Sequence, residues 1–187
     1  MKEVQPIRDK KKIEKMKKYL KSKSTRDWVL FVLGINSGLR ISDILSLQVE
    51  DVAGKDRIAL QEKKTNKTKN FPLADSVKKA IAEYLAEKKL TKGPLFPSRK
   101  HDGSNSSGSI SRQQAWEIIN AAAKEAKVAD KIGTHSLRKT FGYHAYQSGV
   151  SIETIQKLLN HSAPSVTLAY IGITREQLDE VYINLNL

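Results

Sequence analysis

Residues 57–73 read RIALQEKKTNKTKNFPL, and this stretch decides the fold class. Apolar and β-prone ends around Ile58, Leu60 and Phe71 enclose a polar, lysine-rich turn, which predicts an antiparallel β-hairpin. On both sides the chain keeps helical spacing. Upstream, Ile13, Met16 and Leu20 predict an amphipathic helix over 9–22. Ser24, Thr25 and Asp27 are start signals for a second helix, and its WVLFVLGI run at 28–35 is apolar on every side. Such a helix is buried all round and should end near Ser37 and Gly38. A short helix over 41–47 leads into the hairpin. Downstream, Val77, Ile81 and Leu85 mark a helix over 74–89, and further helices are predicted over 111–127, 134–148 and 152–159, the last capped by Ser151. Gly149 suits a C-cap between the last two. The fold class is therefore α+β: one mostly α-helical domain with a small antiparallel sheet.

The 187 residues carry a formal net charge of +13, and 39% of them are hydrophobic. That is enough apolar material for a core and excludes a disordered basic tail. There is no cysteine, which excludes disulfides, thiol catalysis and a Cys-ligated zinc site. Neither a signal peptide nor a membrane span is predicted, so the expectation is a soluble cytoplasmic domain with a polyanionic partner. The charge is uneven: residues 1–23 hold ten Lys and Arg against three acids, and residues 55–70 hold six against two. A lysine-rich helix face is also compatible with simple solvation. Pro94 and Pro97 break the pattern before a low-complexity loop, SRKHDGSNSSGS at 98–109. At the far end, Thr174 and Gln177 form a capping-box pattern that starts a tail helix bearing Leu178, Val181 and Leu185.

Several polar residues stand out in apolar contexts. Arg40 follows the Gly38 break at the start of a helix. His135 and Arg138 lie three apart and share a helix face. His161 follows a helix ending QKLLN, and Tyr170 comes nine residues later, after Pro164 and a short apolar turn. Taken singly, each has an ordinary structural explanation: an Arg paired with a carboxylate, a His or Tyr satisfied in packing. His144 reads as structural, His101 as inert, and Tyr143, Tyr146 and Tyr182 as packing or surface residues.

Their order is informative. GLRISDIL at 38–45, the lysine-bearing hairpin, THSLRKTF at 134–141 and LNHSAPSVTLAY at 159–170 form one ordered set. The set resembles the tyrosine recombinases, the phage-integrase family of site-specific DNA recombinases, over roughly residues 7–182. The H-x-x-R motif followed by L-x-H and then Tyr is its specific part. The resemblance implies that family's catalytic fold and six catalytic residues: Arg40, Lys64, His135, Arg138, His161 and Tyr170. Lys64 matches the catalytic lysine because it precedes Pro72 by eight residues, with Lys63 and Lys67 as alternatives in the same turn. Asp43, three residues after Arg40, matches an acid that braces the arginine.

The implied reaction is transesterification of a DNA phosphodiester. Tyr170 would attack phosphorus to give a 3′-phosphotyrosine link, Lys64 would protonate the leaving 5′-oxygen, and Arg40 and Arg138 would stabilise charge on the non-bridging oxygens. His135 would accept the tyrosine proton or bond a phosphate oxygen, and His161 would bond the phosphate. No ATP, metal or other cofactor is implied. The implied partners are double-stranded DNA, further copies of the chain docked through residues 171–187 into a dimer or tetramer, and an accessory or directionality factor. Packing of the tail on its own domain is the alternative. Family members usually carry an N-terminal helical domain that clamps the other face of DNA. No such domain fits before residue 40, so the expectation is a fragment or a short stand-alone member. A catalytically silent DNA-binding regulator and a type IB topoisomerase are the competing readings.

Overall fold

The computed structural model describes residues 3–98 and 108–173, together with 179, 183 and 184. Its elements run α1 (Lys10–Lys23), α2 (Thr25–Ser37), α3 (Ile41–Ile44), β1 (Arg57–Gln61), β2 (Thr68–Pro72), α4 (Asp75–Lys88), α5 (Arg112–Glu125), α6 (Thr134–Gln147), α7 (Ile152–Leu159) and α8 (Pro164–Ile171). A single 3-10 turn at Val49–Asp51 lies between α3 and β1. The two strands pair antiparallel with Ile58 opposite Phe71 and Leu60 opposite Lys69. The α+β expectation is borne out.

Helix starts follow local chemistry. The Asp9 carboxylate accepts from Lys11 N–H at 2.7 Å and the Ser151 hydroxyl from Thr154 N–H at 3.3 Å. Ser111 and Gln114 close a reciprocal capping box on α5. The helix that sequence reading missed is α8. Its eight residues, PSVTLAYI, are too short and too uniformly apolar to show a period, but Pro164 at its first turn pre-sets the backbone. Tyr170 therefore stands on a helix, not after a turn.

The all-round apolarity of α2 has a direct explanation. Val29, Leu30, Val32 and Leu33 pack into one core with α3, Ile58 of β1 and Val77, Ile81 and Tyr84 of α4. Phe31, on the other side, packs with Met16 and Leu20 of α1, Ile119 of α5 and Leu137 of α6. A third, smaller cluster of Ile155, Leu159 and Ile171 joins α7 and α8 under α6. Of the predicted tail helix, Leu178, Val181 and Leu185 lie outside the described residues, as does His101. Among the described residues no helix is long and apolar enough to cross a membrane.

Candidate active site

The site is assembled where α2 ends. Gly38 caps that helix at φ 61°, and a Cβ there would lie 2.6 Å from Phe141 Cδ1 of α6. Glycine is thus required twice, for the left-handed backbone and for the close approach of α6. The chain then turns to place Arg40 at the N-cap of α3, with Nη1 2.9 Å from Oε1 of Glu62. Arg138 enters from α6 and is 2% exposed. Its Nη1 donates to the Gly38 carbonyl at 2.5 Å and its Nη2 to the Leu159 carbonyl at the end of α7. One guanidinium so ties three helices together.

Tyr170 and His161 meet beside this pair. Their rings make an edge-on contact with centroids 4.8 Å apart. Burial raises the Tyr170 pKa above its ordinary value, and the adjacent charges of Arg138 and Arg40 pull only partly against that. Tyr170 is therefore a protonated phenol at neutral pH and needs a proton acceptor to become a nucleophile. Burial lowers the His161 pKa to about 4, reinforced by Arg138 and Arg40, so its imidazole is neutral. Its Nδ1 lies 3.1 Å from the Thr167 hydroxyl, which itself donates to the Ala163 carbonyl at 3.3 Å. With that hydroxyl proton committed, Nδ1 carries the imidazole hydrogen and Nε2 is the open acceptor. Lys139, also buried, sits with Nζ 4.9 Å from the Tyr170 ring centre and pairs with Glu3 at 2.6 Å.

His135 lies in the first turn of α6 and is exposed. Its pKa is lowered by partial burial, then by Arg112, whose Nη2 is 3.4 Å from Nε2, and by Lys139, Arg138 and Lys64. Lys64 is exposed in the hairpin turn, close enough for its charge to be felt at His135. Of the six residues singled out in sequence, Arg40, Arg138, His161 and Tyr170 form the inner cluster, and His135 and Lys64 stand at its rim.

Asp43 does not brace Arg40. Its Oδ1 accepts the main-chain N–H of Lys63 at 3.0 Å, and Glu62 takes the arginine instead. Glu62 is 2% exposed; burial pushes its pKa up, but hydrogen bonds from Thr65 and Asn160 and the Arg40 charge outweigh this and leave it lowered. Lys69 was also missed. Burial first, then Arg138, lower its pKa to about 8, and Nζ is 3.4 Å from the Ser37 carbonyl. Period-2 alternation along β2 contains the signal, since Lys69 shares the inward face with Phe71. His144 is structural as expected, its Nε2 3.0 Å from the Ile7 carbonyl. Among the described residues no group of three His, Asp or Glu could hold a metal ion.

Comparison with known proteins agrees with this fold. The model of the phage integrase family matches residues 8–177. A probable integrase/recombinase, YoeC, of Bacillus subtilis is 46% identical over 179 residues, which cover 96% of this chain and 95% of that protein. The tyrosine recombinase XerD of Corynebacterium glutamicum is 32% identical over 84% of this chain, which spans about half of it (51%). In fold, the crystal structure of the XerH site-specific recombinase bound to its palindromic difH substrate superposes with a TM-score of 0.73. That match has 17% identity and covers 96% of this chain and 53% of XerH. Four converging motifs, one matching fold and a family match over most of its length place the chain in the phage integrase family, alongside the integrases and tyrosine recombinases it resembles.

Proposed function

We propose that this chain cleaves and rejoins double-stranded DNA at a specific site through a covalent bond to Tyr170. The observation that carries the reading is Tyr170 packed on neutral His161 beside two arginines, one of them fixed by main-chain carbonyls. The Tyr170 oxygen attacks phosphorus, and its proton passes to an imidazole, His161 Nε2 or His135. The phosphorus–O5′ bond breaks, and the leaving oxygen takes a proton from the Lys64 ammonium. A 3′-phosphotyrosine and a free 5′-hydroxyl result. Attack by a second strand's 5′-hydroxyl reverses these transfers and regenerates the phenol, so the bond energy is conserved without ATP.

Arg40 and Arg138 act where charge builds. Their planar donors suit two non-bridging oxygens, and their placement before substrate arrives removes most reorganisation from the barrier. The net charge of +13 supports the grip on phosphates. Assembly completes the reading: residues 171–187 dock on a neighbouring copy to form the dimer or tetramer that strand exchange requires, with an accessory factor setting direction. Deleting residues 174–187 is expected to weaken oligomers on DNA by sedimentation while leaving single-site cleavage in place.

The test is covalent capture. Nicked, sheared DNA from the host is incubated with the chain in EDTA, denatured, and assayed for protein-linked ends. An adduct that forms undiminished by the chelator and disappears in Tyr170→Phe supports the reading, and sequencing the trapped ends gives the site. Salt-sensitive DNA binding without any adduct would overturn it in favour of a regulator that has kept the fold.

A further inference from the structure

Asn160 occupies the left-handed C-cap of α7, at φ 51° and ψ 47°, where glycine is free of strain. Here the position holds an amide instead, and that amide is fully engaged. Nδ2 donates to Glu62 Oε2 at 3.2 Å and reaches the Thr65 hydroxyl at 3.4 Å, and Oδ1 accepts from Lys67 Nζ at 3.1 Å. All three partners belong to the hairpin turn. Within that turn the Thr65 hydroxyl donates to Glu62 Oε2 at 2.7 Å, and Glu62 N–H and carbonyl close on Lys67 and Asn66 at 3.0 and 2.8 Å. Asp43 of α3 fixes the turn from the other side through Lys63 N–H. Glu62 directs its remaining oxygen at Arg40.

We propose that Asn160 and Glu62 are positioning residues that latch the Lys64 turn to the end of α7, fixing the height of the leaving-group acid over the arginine cluster. This deepens the proposed function and rests on it. A lysine on a free, exposed turn samples many positions, whereas proton transfer to a leaving oxygen requires hydrogen-bond reach. The latch links that turn to the residue preceding His161, so acid and phosphate ligand move as one unit. The same Glu62 carboxylate holds Arg40, which ties the electrostatic clamp to the acid.

The discriminating experiment uses two DNA substrates with the nicked recombination site: one with the ordinary O5′ and one with sulfur bridging phosphorus and C5′. A thiolate leaves without a proton, so a misplaced acid is no handicap on the sulfur substrate. Asn160→Gly keeps the left-handed cap and removes only the amide. It is expected to slow adduct formation about 100-fold on ordinary DNA, the scale of an ångström-level misplacement, and to recover to near the unmodified rate on the sulfur substrate. Thr65→Val and Lys64→Ala should show the same split. Amide hydrogen exchange at Asn66 and Lys67 should quicken in Asn160→Gly while core amides stay protected. Equal losses on both substrates, or no loss, overturn the positioning role. Unchanged exchange overturns the anchoring alone. If the unmodified chain forms no adduct on either DNA, the proposed function falls and the positioning role with it, while the exchange arm still decides whether the amide anchors the turn.

Discussion

Arg138 is structural in this fold and phosphate-directed in the proposed reaction, and both roles would draw on the same nitrogens. Its guanidinium satisfies the Gly38 and Leu159 carbonyls, which are otherwise buried acceptors. Arg138→Lys retains the charge but not the fork, so one carbonyl loses its donor. The variant should lose about 100- to 1,000-fold in adduct formation and about 1–3 kcal/mol of stability in urea unfolding. Lys69 presents the opposite balance. Its native pKa of about 8 lies below the ordinary 10.5, so its charged form is penalised in the fold. Lys69→Met should therefore be the more stable chain at pH 7, by about 1–3 kcal/mol, while cleaving DNA more slowly. Between pH 8 and 10.5 the native lysine binds fewer protons than the unfolded one. The advantage of the Met variant is thus full below 8 and disappears towards 10.5; a constant difference across that window would contradict the assignment. For His161 the window lies lower: its folded pKa of about 4 is below the ordinary 6.5, so its contribution is lost as pH falls from 6.5 towards 4. Urea midpoints of the unmodified chain and His161→Gln should converge over that range. At this scale the motif residues were legible because spacing fixes them. Glu62 and Asn160 were not, because each acts through contacts with residues distant in sequence: Asn160 is 98 residues from Glu62. Thr167 was not, because it lies in α8, whose helical turn toward His161 the sequence did not reveal.

Elements bring Tyr170, the proposed nucleophile, into place through a tight crossing. Gly142 of α6 faces α8, and a Cβ there would lie 2.6 Å from Ile171 Cγ2 and 3.1 Å from Leu159 Cδ1. Ile171 is fully buried and adjoins Tyr170. Two effects compete in Gly142→Ala. The helix gains about 1 kcal/mol of propensity, and overpacking a core contact costs about 1–3 kcal/mol. The net change in stability should be small, from near zero to about 2 kcal/mol lost. The displacement of α8 acts directly on Tyr170, so adduct formation should drop far more, by about 100-fold. Rates and urea midpoints measured together check this, and a loss of rate no greater than the loss of stability implies would show that α8 accommodates the methyl without moving its tyrosine. Most helices were legible from periodicity, with ends within a residue or two. The exception, α8, was illegible because its buried face is only Thr167 and Ile171 while apolar Val166 is exposed, so apolarity does not mark the buried side, and because its proline signals a break before it signals a start.

For the whole molecule, net charge specifies a partner class, but the fold decides which charges count. The two basic segments are equally prominent in sequence, yet they occupy different places. α1 packs on α2 and α5, leaving Lys11, Lys15 and Lys18 exposed; of these elements, the end of α2 and the start of α5, through Arg112 at His135, border the site. The hairpin turn borders it directly, through Glu62 on Arg40 and the Lys64 charge at His135. Counterion release makes the difference measurable, because each lysine withdrawn from a phosphate lowers the slope of log affinity against log salt by about 1. Affinity for a short duplex is expected to fall about 1,000-fold or more between 50 and 200 mM salt. Lys63→Gln with Lys67→Gln should lower the slope by about 2. Lys11→Gln, Lys15→Gln and Lys18→Gln together should change it by less than about 1, since the proposed reaction brings the duplex to the hairpin and arginine cluster. Fluorescence anisotropy over a salt series resolves the two. A larger change of slope from the α1 set would place the duplex across α1 and make the polybasic helix, not the hairpin, the main phosphate grip.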